Sequence, residues 1–208
     1  MKFKICGMLI PENIIKVSEL EPDYLGFIFW KKSPRYFNKK IPAISKKIKL
    51  TGVFVDESLS EIKKQINIHK LNVVQLHGNE SPLICEKIKN FGVQCVKAFS
   101  INKNFNFSKI KNYENVCDHF LFDTKGKLPG GNSFKFDWRL LENYSFSKPF
   151  FLSGGISLKE ILEIKEIIKS NLPIHAIDVN SKFEICTGEK NVELLKSFKL
   201  KLFKWNTM

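Results

Sequence analysis

Six short stretches of this chain carry residues able to move protons or hold anions, and each comes directly after a short apolar run. Cys6-Gly7 offers a thiol, a base once ionised, although a free cysteine more often fills a core as a small hydrophobe. Gly7 would let a substrate come close. Lys31-Lys32-Ser33-Pro34-Arg35-Tyr36 holds one of only two arginines, the other being Arg139, in a chain that otherwise uses lysine for positive charge. A guanidinium can grip a carboxylate or phosphate with two parallel hydrogen bonds, which an ammonium cannot. Geometry is therefore expected to matter at Arg35, with a basic surface turn as the alternative.

The remaining four stretches continue the pattern. In Gln75-Leu76-His77-Gly78-Asn79-Glu80, His77 is a candidate proton carrier, with a structural hydrogen-bonded role favoured. Asp123-Thr124-Lys125-Gly126 follows Phe120-Leu121-Phe122. A carboxyl at the edge of an apolar site can be kept protonated by desolvation and so donate a proton, while a loop cap is the plainer role. Further along the same loop, Gly130-Gly131-Asn132-Ser133 reads as a segment whose backbone can approach a ligand. Ser153-Gly154-Gly155-Ile156 leads into a helix, and backbone N–H groups there suit a phosphate. The matching stretch after the next apolar run, Asp178-Val179-Asn180-Ser181, makes Asp178, Asn180 and Ser181 substrate-binding candidates beside Gly154 and Gly155.

These stretches need elements to position them. Eight runs read as strands: 2–6, 24–29, 50–55, 72–76, 93–99, 119–122, 149–152 and 174–179. They are rich in Val, Ile and Phe and mostly bounded by Gly, Asn, Asp or Ser. Between them lie helical patterns. Ser58 and Glu61 form a capping box for a helix over 59–68, and Ser157 and Glu160 form another. Ser81-Pro82 caps a helix over 82–91, and Asn191 opens the last one. Weaker helical patterns lie near 11–20, 39–48, 108–114 and 136–143. Strands start roughly 20–30 residues apart, the length of one compact strand–helix unit. Eight such units with no linker or break predict a single (β/α)8 TIM barrel over 1–208, rather than an open doubly wound sheet. In a barrel of this kind the loops after the strands build the active site, and the loops after strands seven and eight often hold phosphate.

Composition narrows the partners. The 208 residues carry 34 Lys+Arg against 21 Asp+Glu, a net charge of +13. The lysines are spread along the whole chain, so a solvated lysine surface is favoured over a nucleic-acid patch, which should be clustered. No apolar run reaches the about 18–20 residues of a membrane span, and the first residues do not read as a secretory signal. The five cysteines, at 6, 85, 95, 117 and 186, include no CxxC pair. That argues against a disulfide framework or a zinc site and for a reducing cytoplasm. Apart from Cys6, they read as core. The expected partner is a small phosphorylated molecule, with no nucleic acid or membrane, and a monomer is the favoured state.

The ordered set of motifs resembles the phosphoribosylanthranilate isomerase family of tryptophan biosynthesis. It comprises Lys4-Ile5-Cys6-Gly7, Gly26-Phe27-Ile28-Phe29, Lys32-Ser33-Pro34-Arg35-Tyr36, Gly52-Val53-Phe54-Val55 and Gln75-Leu76-His77-Gly78. It continues with Phe122-Asp123-Thr124-Lys125-Gly126, Gly130-Gly131, Phe136-Asp137-Trp138, Ser153-Gly154-Gly155 and Asp178-Val179, and spans nearly the whole chain. The resemblance implies an Amadori rearrangement of N-(5-phosphoribosyl)anthranilate to 1-(2-carboxyphenylamino)-1-deoxyribulose 5-phosphate, without a cofactor or metal. It makes Asp123 the general acid, Cys6 the general base and Arg35 the holder of the anthranilate carboxylate. Gly154, Gly155, Asn180 and Ser181 would present N–H groups to the phosphate. Two stretches depart from the family. Its Gly-Gly-Thr-Gly reads Gly130-Gly131-Asn132-Ser133 here, and its Ser-Ser-Gly reads Asn180-Ser181-Lys182, where Lys182 would supply charge instead.

Three rival readings remain. Another phosphosugar barrel needs a different acid–base set. A basic nucleic-acid-binding domain leaves Cys6, Asp123 and the glycine pairs unexplained. An inactive scaffold of the same family would not need to keep Cys6, Asp123 and Arg35 together.

Overall fold

Strict alternation of inward and outward residues runs through eight parallel strands that close into a barrel. The computed structural model describes residues 1–124 and 135–203. The strands are β1 (Lys2–Ile5), β2 (Tyr24–Ile28), β3 (Lys49–Phe54), β4 (Val73–Leu76), β5 (Gln94–Ile101), β6 (His119–Thr124), β7 (Phe150–Leu152) and β8 (Ile174–Val179). Each pairs with its neighbour in sequence order, and β1 closes the ring on β8 with Lys4 opposite Asp178. All eight expected strands are present, within two residues at each end.

The helices outside are α1 (Pro11–Ser18), α2 (Leu59–His69), α3 (Pro82–Lys89), α4 (Ile161–Lys169) and α5 (Val192–Phe203). Ser58 accepts the Glu61 N–H, and the Ser157–Glu160 capping box closes in both directions. Ser81 departs from expectation: proline opens α3, but the Ser81 side chain makes no cap hydrogen bond. The patterns near 108–114 and 136–143 form 3-10 turns, Phe107–Tyr113 and Trp138–Asn143, rather than α-helices. The stretch 39–48 is irregular. Pro42 has no N–H and its ring drives Ile41 out of the helical region. Ile41, Ile44 and Ile48 still pack on the core, so the apolar spacing that mimics a helix is satisfied by an irregular chain.

Two apolar layers result. Outward residues such as Phe3, Phe27, Phe54, Phe120, Phe150 and Ile177 meet the helices through Ile14, Ile62, Ile88, Ile164 and Phe198. Inside the barrel lie Tyr24, Val73, Val96, Ala98, Leu121, Phe151 and Ala176. The same alternation puts Asp123 on the face of Leu121, Asp178 on that of Ala176 and Gln75 on that of Val73. An antiparallel hairpin after β8, β9 (Glu184–Cys186) with β10 (Glu189–Lys190), was not expected. Cys186 on it is exposed, against its expected place in the core, whereas Cys85, Cys95 and Cys117 are buried. The expectations for Lys125-Gly126 and for Gly130-Gly131-Asn132-Ser133 lie outside the described residues. Among the described residues no helix is long and apolar enough to cross a membrane.

Candidate active site

Lys4, Gln75, Asp123 and Asp178 each occupy the next-to-last position of their strand, β1, β4, β6 and β8, with side chains turned inward. The parallel barrel therefore gathers them at one mouth, at the carboxyl ends of the strands. The Lys4 ammonium donates to Asp178 Oδ2 and to Gln75 Oε1, each at 2.7 Å. The second bond joins strands that are not neighbours, so it crosses the interior. Lys4 and Asp178 are 1% and 5% exposed, and a buried pair of this kind is costly to break because the survivor keeps an uncompensated charge. Asp178 Oδ1 has no hydrogen-bond partner among the described residues. Burial pushes the Asp178 carboxyl up, and Lys4 only partly offsets it.

Cys6 follows directly on β1, buried, its thiol aimed toward Gly26 of β2. Burial pushes the thiol above its ordinary range, the Lys4 and Lys190 ammonium groups pull it back, and Asp178 opposes them. For Lys4, burial favours the neutral form, but Asp178 and Cys6 outweigh it and hold the amine above its usual value. The thiol thus sits beside a permanent cation.

Asp123 lies across the mouth. Its Oδ1 accepts the Thr124 N–H at 2.8 Å, and its Oδ2 stands 3.4 Å from His77 Nε2, too long for a strong hydrogen bond. His77 is oriented from its other nitrogen, 3.1 Å from Gln75 Nε2. Gly154 follows β7 at φ +92°, and a Cβ there would stand 2.3 Å from Thr124 Oγ1 and 3.0 Å from Asp123 Oδ1. Only glycine permits both that backbone and that approach. Gly155 is also left-handed, at φ +68°. A 3-10 turn, Leu158–Glu160, separates this glycine pair from α4, and the turn's first N–H groups are taken by Ser157 and Glu160.

Arg35 lies in the loop after β2, its N–H donating to Ser33 Oγ. Its guanidinium is engaged by Glu184, Nε to Oε1 at 2.8 Å and Nη2 to Oε2 at 2.6 Å. Glu184 raises the arginine further, and Arg35 and Lys190 together hold Glu184 below the usual carboxylate range despite its burial. Lys190 is wholly buried, its ammonium 2.7 Å from both Glu184 Oε1 and Asn180 Oδ1, and burial holds it below its normal value. Asn180 follows β8 and Ser181 opens the 3-10 turn Ser181–Phe183. Lys182 is exposed on that turn, so Lys190 is the cation set into this loop. Gly7, at φ +73°, packs where a Cβ would meet Asn180 Oδ1 at 2.4 Å and Arg35 Cδ at 2.8 Å. It closes the loops of β1, β2 and β8 on one another rather than leaving an open path.

The structure therefore brings Cys6, Arg35, Asp123, Gly154, Gly155, Asp178, Asn180 and Ser181 to one mouth. Sequence reasoning assigned no role to Lys4, Gln75, Glu184 and Lys190. Lys4 and Gln75 carried a usable signal, polar residues at inward positions of otherwise apolar strands. Glu184 and Lys190 carried a weaker one, the Thr187-Gly188 turn between two short extended stretches.

The fold agrees with comparison to known proteins. The family model described as N-(5′-phosphoribosyl)anthranilate (PRA) isomerase matches residues 3–200. The N-(5′-phosphoribosyl)anthranilate isomerase of Parabacteroides distasonis is 37% identical over 204 residues, covering 95% of this chain and 91% of that one. The crystal structure of phosphoribosyl anthranilate isomerase from Thermotoga maritima superposes with a TM-score of 0.82 at 28% identity, covering 97% and 98% of the two chains. A phosphoribosyl anthranilate isomerase in complex with reduced 1-(o-carboxyphenylamino)-1-deoxyribulose 5-phosphate gives 0.80 at 27% identity with the same coverage. With its closed eight-stranded barrel and these matches along nearly its full length, the chain belongs to the N-(5′-phosphoribosyl)anthranilate isomerase family, isomerases of tryptophan biosynthesis.

Proposed function

We propose that this chain converts N-(5-phosphoribosyl)anthranilate to 1-(2-carboxyphenylamino)-1-deoxyribulose 5-phosphate with Asp123 as acid and Cys6 as base. The observation that carries the reading is the pairing of a buried thiol beside the Lys4 ammonium with a carboxyl on another strand of the same mouth. Asp123 gives its proton to the furanose ring oxygen, the C1′–O bond breaks, and the anthranilate nitrogen becomes an iminium. The Cys6 thiolate then takes the C2′ proton, the iminium accepts the electron pair, and an enolamine forms that tautomerises to the ketone. Lys4 and Lys190 stabilise the thiolate against its burial. Each positioned acid or base contributes about 10²–10⁴-fold.

Binding follows from the same groups. Glu184 uses two of the five guanidinium N–H donors of Arg35, leaving the Nη1 edge for the anthranilate carboxylate. The unpartnered Asp178 Oδ1 suits a ribose hydroxyl, since a carboxylate repels phosphate. Backbone N–H groups of Gly154, Gly155, Asn180 and Ser181 take the phosphate, with Lys190 supplying charge beneath the loop.

Turnover of substrate generated in situ, followed by loss of anthranilate-type fluorescence, tests the proposal. The wild-type protein is expected to convert it rapidly, and Asp123→Asn and Cys6→Ala to lose at least about a hundredfold in kcat while remaining folded. Undiminished turnover in either variant removes that residue's role, and no turnover by folded wild type removes the reaction.

A further inference from the structure

Three cysteines far apart in sequence meet on the flank of the barrel, away from Cys6. Cys85 lies on α3, Cys95 on β5 and Cys117 two residues before β6. Val96 and Ala98 face the barrel interior, so the alternation of β5 turns Cys95 outward onto α3. The three sulfur atoms lie within 4.8 Å of one another, and the residues are at most 1% exposed. Three small hydrophobes would satisfy the packing, but sulfurs converging on one point from three elements do more than fill space.

The spacing fits a metal. A trigonal centre with metal–sulfur bonds of about 2.3 Å places its sulfurs about 4 Å apart. The cage is also held from outside. The Cys95 N–H donates to Asp118 Oδ2 at 2.7 Å, the Asp118 N–H returns to the Cys95 carbonyl at 2.9 Å, and the Cys117 carbonyl accepts from Lys148 Nζ at 2.8 Å. A cluster ordered in advance spares the entropy of assembling it on binding.

Coordination number selects the ion. Among the described residues no fourth His, Cys, Asp or Glu joins the group. Lys97 is the nearby cation, and its ammonium is committed to Glu80 and to the carbonyls of Leu76, Gly78 and Ala98. The Tyr113 hydroxyl donates to the Glu80 carbonyl. With the thiols wholly buried, water has no route to a fourth position. Zinc, which takes four ligands in structural sites, would be one short, whereas Cu(I) is soft and thiolate-seeking.

We propose that Cys85, Cys95 and Cys117 form a three-coordinate site for a soft monovalent metal ion, Cu(I), separate from the catalytic mouth. Starting from three thiols, binding breaks three S–H bonds, forms three Cu–S bonds and releases three protons to water. Copper stays Cu(I) throughout, so no oxidant or reductant is needed.

The test is anaerobic competition of the purified protein against Cu(I)–bicinchoninate, incubated overnight because the thiols are reached only when α3 opens from β5. Wild type, Cys6→Ala and Cys186→Ser are each expected to withdraw one Cu(I) per chain, with X-ray absorption showing three sulfur neighbours. Cys95→Ala, shown folded by circular dichroism, is expected to withdraw none. Cys85→Ala and Cys117→Ala each remove one ligand independently and replace it should Cys95→Ala fail to fold. The proposal is overturned by no uptake in wild type, by uptake retained in folded Cys95→Ala, by uptake lost in Cys6→Ala, or by preferential four-coordinate Zn(II) binding.

Discussion

Arg35 and Glu184 hold each other through two parallel hydrogen bonds, although 149 residues separate them in the chain. The pair ties the loop after β2 to the hairpin after β8. Arg35→Lys removes the fork and is expected to raise KM about 10–100-fold, equivalent to about 1.4–2.8 kcal/mol of lost binding. Glu184→Gln leaves Arg35 less firmly aimed and is expected to raise KM about tenfold with kcat little changed. Steady-state kinetics separate the two parameters; a KM unchanged in Glu184→Gln counts against the positioning role.

Lys4 and Asp178 supply a second test. Lys4→Met leaves the Asp178 carboxylate buried without its cation and is expected to cost about 3–5 kcal/mol in urea unfolding. Adding Asp178→Asn removes the orphaned charge, so the double variant should recover part of that loss. Strictly additive losses would show that the two groups do not act as a pair.

Gly154 makes a steric prediction. Gly154→Ala forces a left-handed residue and a methyl group against Thr124 Oγ1. The expected cost is about 1–3 kcal/mol in stability, together with a fall in kcat because Asp123 is held by the Thr124 N–H. An alanine variant with wild-type kcat would mean that the loop relaxes without moving the acid.

The opposite mouth makes an acid-stability prediction. The His119 and His175 rings lie tilted at 39° with centres 4.1 Å apart, and the Tyr24 hydroxyl is 2.8 Å from His175 Nε2. Burial, with His175 adding to it, lowers His119 from 6.5 to about 4. The folded state thus binds this proton less readily than the unfolded chain. The stabilising contribution is complete above pH 6.5 and is lost as pH falls toward about 4. Melting temperatures at pH 7 and pH 4.5 should fall further for wild type than for His119→Gln. Equal falls would assign the acid sensitivity elsewhere.

How much of this was legible depends on the range of the interaction. The eight strands and the capped helices are written locally, in alternation of period two, helical spacing and capping pairs a few residues apart. That Cys6, Arg35, Asp123 and Gly154 share one mouth was visible because a parallel barrel sends every strand end there. The stretch 39–48 misled because its apolar spacing reports burial, while Pro42 decides the backbone. Pairings across the fold were not legible. Lys4 with Asp178, Arg35 with Glu184, Lys190 with Asn180, and the convergence of Cys85, Cys95 and Cys117 join residues whose separation in sequence says nothing of their distance in space. The chain by itself thus determined the elements and their order, which follow from local backbone and side-chain physics. Which charges neutralise one another, and which thiols share a cage, was decided only when the barrel closed and removed them from water.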